Sequence, residues 1–253
     1  DSCDPESSAQ RLQGLRALMK VQELDAYVVT SEDAHGSEYV SCADERRSFL
    51  TGFSGSSGSA LVTADQALLW TDSRYFVQAE KQLEGTEWVL MRQFQPNVPE
   101  FTDWVLEHLN GKTVGVDPRF ISFEQAEEWK SKWKNMVNLK EVTDGNLVDA
   151  IWTTRPEDPC NPLVVHPLSS AGEELESKLT RLREAIQRQG ARCILLSALD
   201  QIAWLFNLRG SDIEYNPVFF AYAAVFQDSA FLFVRALDDG RSGLSEEVMT
   251  YLT

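Results

Sequence analysis

Trp70-Thr71-Asp72-Ser73-Arg74-Tyr75-Phe76 is the strongest local constellation of chemistry-bearing side chains in this chain. Asp72 or Ser73 can cap a helix in which Phe76, Ala79 and Leu83 share one face. Arg74 then falls in the first helical turn, where a cation opposes the helix dipole. Two readings account for such a placement. Arg74 either pairs with Asp72, a purely architectural role, or reaches out to an anionic or carbonyl group of a ligand. A second constellation runs from Trp204 through Asn207, Arg209, Gly210 and Asp212 to Tyr215-Asn216-Pro217. Its Arg209/Asp212 pair and its Asn and Gly residues describe an ordered turn rather than a catalytic centre.

Other candidate chemistry falls away on inspection. Gly52-Phe53-Ser54-Gly55-Ser56-Ser57-Gly58 lacks the lysine that a phosphate loop needs after its last glycine. A nucleophile elbow needs Gly at position 56, which is Ser. Glycines taking positive φ ahead of a strand explain the segment, with a small anion-binding nest as the alternative. The three histidines, His35, His108 and His166, form no known ligand spacing. Asp33-Ala34-His35 reads as structural or solvated polar loop. Cys3, Cys42, Cys160 and Cys193 are widely separated, which indicates neither a zinc knuckle nor a dense disulfide framework and leaves any pairing open. Cys193 sits in the apolar run Cys193-Ile194-Leu195-Leu196, as a small core hydrophobe would.

The elements that must position these residues appear twice. A helix is expected over residues 8–23, with Leu12, Leu15, Leu18 and Met19 at helical spacing. A strand follows at 26–30, then two strands at 60–63 and 67–71 joined by a hairpin. The order returns as a helix over 173–189 stopped by Gly190, a strand at 193–197, an apolar helix end over 202–208 and a hairpin at 221–226 and 230–234. The Leu12…Leu15-Arg16 pattern recurs as Leu179…Leu182-Arg183, 167 residues on, and the hairpins are offset by about 162. This implies duplication of one domain rather than a short-repeat solenoid. The first copy adds a strand at 113–117 and a helix at 123–133, whereas the second is cut short. Arg155 to Pro162 contains three prolines and forms an extended connector. The expected fold is α/β: two similar domains, residues 1–154 and 155–253, each a mixed β-sheet flanked by helices, the second incomplete.

Composition bounds the partners. In 253 residues, 23 Lys and Arg stand against 39 Asp and Glu, a net charge of −16. That balance argues against nucleic acid and against polybasic membrane attachment. No apolar run reaches the roughly 18–20 residues of a spanning helix. The chain opens at Asp1 rather than Met, as a signal-cleaved or excised chain would, yet holds no Asn-x-Ser/Thr sequon. These two observations point to different compartments.

Asp33-Ala34-His35…Ser37-Glu38-Tyr39, Asp44-Glu45-Arg46-Arg47, Gly52-Phe53-Ser54-Gly55-Ser56, the 70–76 segment and Gly115-Val116-Asp117-Pro118 together resemble the first domain of eukaryotic-type Xaa-Pro aminopeptidases. Asn146-Leu147-Val148-Asp149, Ile151-Trp152 and Arg155-Pro156 resemble the family's link into its second domain. Residues 203–212 and 215–220 resemble that second domain. The resemblance implies two creatinase-like amino-terminal domains ahead of a catalytic "pita-bread" domain carrying two metal ions, usually manganese. Asp, His and Glu ligands of that domain are absent here, so this chain alone is expected to be inactive and to hold neither metal nor cofactor. Also implied are proline-containing peptide substrates, the chain's own C-terminal catalytic domain as partner, and a homodimer. Arg74 occupies the position of a peptide-substrate contact; Ser73 stands where many members have Gly. Ser73 and residues 247–252 lean toward the extracellular or membrane-associated branch, with a cytoplasmic location as the alternative. The competing expectation is a non-enzymatic binding module, standalone or cleaved to partner another chain.

Overall fold

Ala26, Tyr27, Val28 and Val29 form a strand whose four residues are all buried, so both of its faces need cover. In a computed structural model describing residues 7–237 and 239–253, the chain divides into a unit ending at Pro156 and a unit beginning at Glu157. Cys3 lies outside the described residues; Cys42, Cys160 and Cys193 are free thiols.

The first unit begins with helix α1 (Ser8–Val21), closed by a reciprocal cap between Ser7 and Gln10. Strand β1 (Ala26–Val29), helix α2 (Arg46–Thr51), strands β2 (Ser59–Thr63) and β3 (Ala67–Thr71), and helix α3 (Phe76–Leu83) follow. Then come β4 (Trp88–Arg92), α4 (Phe101–His108), β5 (Thr113–Val116), α5 (Phe123–Trp133) and β6 (Asn138–Glu141). The sheet order is β4-β3-β2-β1-β5-β6. β1, β2 and β3 run antiparallel, while β4, β5 and β6 each join in parallel.

Alternation splits the strands between two cores. Tyr27, Val29, Ala60, Val62 and Leu69 face Leu12, Leu15 and Met19 of α1, with Leu147, Val148 and Trp152 beyond β6 completing that layer. Ala26, Val28, Leu61, Leu68 and Trp70 face the opposite way, under Phe101, Trp104 and Val105 of α4 and Trp129 and Trp133 of α5. Trp70 meets Phe101 and Trp104 edge-on and donates its indole N–H to the Pro99 carbonyl at 3.0 Å.

The second unit contains β7 (Val164–Val165), α6 (Leu168–Ala171), α7 (Leu175–Arg188), β8 (Cys193–Leu196), α8 (Leu199–Leu205) and β9 (Leu208–Arg209). β10 (Ala221–Phe226), β11 (Ala230–Val234) and α9 (Glu246–Leu252) complete it. Its sheet, β11-β10-β8, repeats β3-β2-β1 pair for pair. Val28 opposite Leu61 corresponds to Leu195 opposite Ala224, and Leu61 opposite Leu68 to Ala224 opposite Phe231. The hairpin offset is therefore 163, from 61 to 224 and from 68 to 231, rather than about 162. The helix expected to end at Leu208 ends at Leu205 instead, and Leu208 opens β9, paired with β7.

Trp70 and Phe233 hold the same repeat position, but Trp70 is fully buried and Phe233 is 58% exposed. Trp70→Ala is expected to cost about 3–5 kcal/mol and Phe233→Ala about 1 kcal/mol or less. Urea unfolding of the two variants, followed by tryptophan fluorescence and circular dichroism, checks this asymmetry.

Candidate functional site

Helix α2 places two consecutive arginines in the interior, and one of them builds the loop beside Arg74. Arg47 donates from Nε to Ser31 Oγ at 2.8 Å, from Nη1 to the Phe53 carbonyl at 2.8 Å, and from Nη2 to the Gly55 carbonyl. None of these acceptors is a carboxylate. Burial accordingly draws the Arg47 pKa down to about 10, against the pull of Glu32 and Glu45. The guanidinium also lies over the Phe53 ring at 4.9 Å.

Two glycines make the loop possible. Gly52 ends α2 with φ of 77°, a left-handed conformation. At Gly55 a Cβ would sit 2.3 Å from Phe53 Cζ and 2.8 Å from Tyr75 Cδ1. The loop is fixed further by Ser31 Oγ donating to the Gly58 carbonyl and Thr71 Oγ1 to the Ser57 carbonyl, each at 2.7 Å. Ser56 Oγ and the Tyr75 hydroxyl share a 2.7 Å hydrogen bond.

Arg74 stands in the turn between β3 and α3, not in the first turn of a helix. α3 starts at Phe76 behind Tyr75 with no side-chain cap, so neither Asp72 nor Ser73 caps it and the dipole argument does not apply. Asp72 instead closes the turn, its Oδ1 accepting the Arg74 N–H at 3.0 Å. The same carboxylate grips the guanidinium as a fork, Nε to Oδ1 and Nη2 to Oδ2, both at 2.9 Å. Pairing and accessibility coexist: the Arg74 side chain remains 61% exposed. Hydrogen bonds from Arg74 hold the Asp72 carboxyl down at about 2, and Asp72 in turn raises the Arg74 pKa. Arg74 borders a cavity of about 290 Å³ together with Glu32, Glu38, Ser56, Ser59 and Gln93. With one edge held by Asp72, its remaining N–H groups can donate to a carbonyl or carboxylate entering the cavity. Glu38 and Gln93 escaped the sequence reading as site residues, because only folding brings residues 38, 56, 74 and 93 to one cavity.

The remaining motif residues are structural. Arg46 pairs with Asp44 at 2.8 Å and with Asp149 at 2.7 Å, while Arg155 donates to the Ala43 carbonyl at 2.8 Å. Asp44, Arg46, Asp149 and Arg155, which lies 3.6 Å from Asp149, thus form one ionic knot. Asp33 is buried, and its Oδ1 accepts the backbone N–H groups of His35 and Ser37 at 2.9 Å. In the second unit Arg209 and Asp212 do not pair, contrary to expectation. Arg209 donates to the Ala203 and Leu208 carbonyls, and Asp212 accepts the N–H groups of Asn161 and Phe220. Carbonyls of α8 and β9 thus take the Arg209 side chain, and backbone N–H groups of two other segments take Asp212. Among the described residues no three His, Cys, Asp or Glu side chains converge as a metal site, so the residues present do not fit a dinuclear centre. No helix among them is long and apolar enough to cross a membrane.

Comparison with known proteins identifies both units. Residues 11–147 match one creatinase/prolidase N-terminal domain family, and residues 154–252 match a second family of the same description. A probable Xaa-Pro aminopeptidase P from Pyricularia oryzae is 47% identical over 252 residues, covering 97% of this chain and 39% of the relative. Another, from Colletotrichum graminicola, is 47% identical over 245 residues, with 96% and 39% covered. The crystal structure of X-prolyl aminopeptidase from Caenorhabditis elegans, described as a cytosolic enzyme with a di-nuclear active site, matches with a TM-score of 0.90 and 34% identity. It covers 97% of this chain and 41% of that one. The chain thus spans about two-fifths of the length of the relatives it matches.

The fork between Asp72 and Arg74 has a definite acid limit. A folded-state pKa held near 2, below the ordinary aspartate value of 3.8, means that the stabilisation is present above the unfolded value and is lost as pH falls through the folded one. The Arg74 Nε–H resonance is therefore expected to keep its hydrogen-bonded shift to about pH 3 and to titrate near pH 2. Arg74→Ala is expected to move the Asp72 midpoint upward in a carboxyl-detected NMR titration.

Proposed function

Because this chain belongs to the creatinase/prolidase N-terminal domain family, we propose that it is the non-catalytic amino-terminal part of a Xaa-Pro aminopeptidase, an enzyme releasing the first residue from peptides with proline second. The observation that carries the proposal is identity of 47% to Xaa-Pro aminopeptidase P proteins along nearly all of this chain, through both family matches. On this reading the chemistry belongs to a C-terminal catalytic domain holding two metal ions, manganese by family resemblance. The metal pair supplies the activated water. This chain supplies shape and one directional donor, and the whole protein works as a homodimer.

Arg74 is the substrate-contacting residue in this proposal. Its fork to Asp72 fixes the guanidinium plane, so a peptide carbonyl or carboxylate meets a donor whose orientation is already set. Glu32 and Glu38 border the same cavity and make it selective against further negative charge. For compartment, we favour an extracellular or membrane-associated location over the cytoplasm, supported by Ser73 and residues 247–252.

In the complete enzyme, Arg74→Ala is expected to lower kcat/KM about 10- to 150-fold, the worth of one charge-assisted hydrogen bond. Its Tm should hardly change, since an exposed ion pair contributes little to stability. A large Tm drop with unchanged kcat/KM overturns the substrate role. The 253-residue chain by itself is expected to show no stoichiometric manganese or zinc by elemental analysis and no turnover of an Xaa-Pro peptide.

A further inference from the structure

Gln93 borders the Arg74 cavity with a side chain that nothing in the protein engages. Its backbone is tied down: the N–H donates to the Thr71 carbonyl at 3.0 Å, carrying the parallel contact of β3 and β4 one step beyond Arg92. The side chain is half-buried, and among the described residues its amide takes part in no hydrogen bond. A primary amide both donates and accepts, whereas the Arg74 guanidinium in the same cavity can only donate.

Strand direction explains why these two side chains share one cavity. β1, β3 and β4 point the same way, and β2 runs against them. Glu32 follows the end of β1, Arg74 the end of β3 and Gln93 the end of β4, while Ser57 and Gly58 lead into β2. The cavity therefore lies beyond the carboxyl ends of three strands of one direction. Open α/β sheets ordinarily hold their ligands in such a place.

The residue after Gln93 is held at a cost. Phe94 has φ of 62°, a left-handed conformation that bulky side chains rarely adopt, and it is 79% exposed. Glu100 Oε1 accepts its N–H at 3.3 Å. Neither burial of the ring nor backbone preference accounts for this geometry. Its effect is to turn the chain directly after β4, so that Gln93 is the last residue to follow the strand and borders the cavity. Strain of this kind persists where the surroundings impose it, and it collects where ligands bind.

We infer that Gln93 is a substrate-contacting residue that accepts the backbone N–H of the residue following proline. The inference rests on the peptidase reading above and names the part of the substrate that this cavity recognises. In an Xaa-Pro-Yaa peptide the proline nitrogen carries no hydrogen, so the first backbone N–H beyond the scissile bond belongs to Yaa. Arg74 has no atom that can accept it. Glu32 and Glu38 are exposed to water, whereas Gln93 is half-buried and unpaired, so Gln93 gains most from the bond. Its Oε1 takes the Yaa N–H, and its Nε2 remains available to a carbonyl further along the peptide. Arg74 and Gln93 together read a main-chain unit through one donor and one acceptor, without reference to the Yaa side chain.

The test gives the complete enzyme two substrates, Xaa-Pro-Yaa and the analogue in which an ester oxygen replaces the Yaa N–H. The ratio of their kcat/KM values, amide over ester, is expected to be about threefold to tenfold higher in the wild type than in Gln93→Met, the worth of one neutral hydrogen bond. Comparing the two ratios cancels whatever else the ester changes, its weaker carbonyl at Arg74 included. Gln93→Glu keeps an accepting oxygen and should show at least the wild-type ratio, even as its added charge lowers both rates. Both variants should melt with the wild type, because the Gln93 amide bonds no group of the protein. Equal ratios in the wild type and Gln93→Met overturn the inference, and so does a Gln93→Glu ratio no higher than that of Gln93→Met. Normal kinetics in Arg74→Ala beside a lowered ratio in Gln93→Met would remove Arg74 from the substrate site and keep Gln93 in it. A wild-type enzyme that cleaves neither substrate overturns the peptidase reading, and this inference with it.

Discussion

A strand that is apolar on both sides can persist in water only if something packs on each face, and the organisation of this chain follows from that requirement. Tyr27 and Val29 point to one side of the first sheet, Ala26 and Val28 to the other, and each side has its own helices. The long excursion from β3 through α4 and α5 brings Phe101, Trp104, Trp129 and Trp133 over Trp70. Parallel pairing follows from the same excursion, because a chain that must first cross the sheet as a helix returns in the direction it left.

Within this frame, two adjacent arginines show how environment sets the behaviour of identical side chains. Burial works against the charge on both. For Arg46 the carboxylates of Asp149 and Asp44 outweigh burial, and its pKa rises. Arg47 has only a hydroxyl and two carbonyls, and its pKa falls. The first arginine joins segments distant in sequence. The second holds a Gly/Ser loop in one shape, so that Tyr75 and Arg74 meet a fixed surface. Arg74 can then remain exposed and still be oriented, since Asp72 fixes its plane at the surface rather than in the core.

Much of this was legible in the sequence where the signal is local. The Leu12, Leu15 and Met19 spacing gave α1, and the short Ala64-Asp65-Gln66 link gave the antiparallel pairing of β2 and β3. Helices α2 and α4 passed unrecognised because six and eight residues establish a period poorly and each follows a glutamate, not a capping residue type, whereas the equally short α3 comes after Asp72 and Ser73. β4 and β6 passed because Trp88–Arg92 and Asn138–Glu141 mix polar and apolar residues as edge strands do. The Arg74 motif was found, but its helix start was misplaced. An aspartate before a helix can cap it or close a turn ahead of it, and sequence does not separate the two. The Arg46–Asp149 pair spans 103 residues and left no local trace. Arg209 and Asp212 looked like partners because they are near in sequence, while the fold gave each a better one among backbone groups.

The strands common to both units also have a temporal meaning. β1, β2 and β3 are all complete by residue 71, whereas the helices that cover their outer face end only at Trp133. At a synthesis rate of about 5–20 residues per second, the first sheet waits roughly 3–12 s on the ribosome with Val28, Leu68 and Trp70 uncovered. Hairpins form in microseconds, so the three-stranded sheet has ample time to assemble in that interval. The second unit, with Leu195, Phe231 and Phe233 in the open, is a portrait of the first at that moment of its birth.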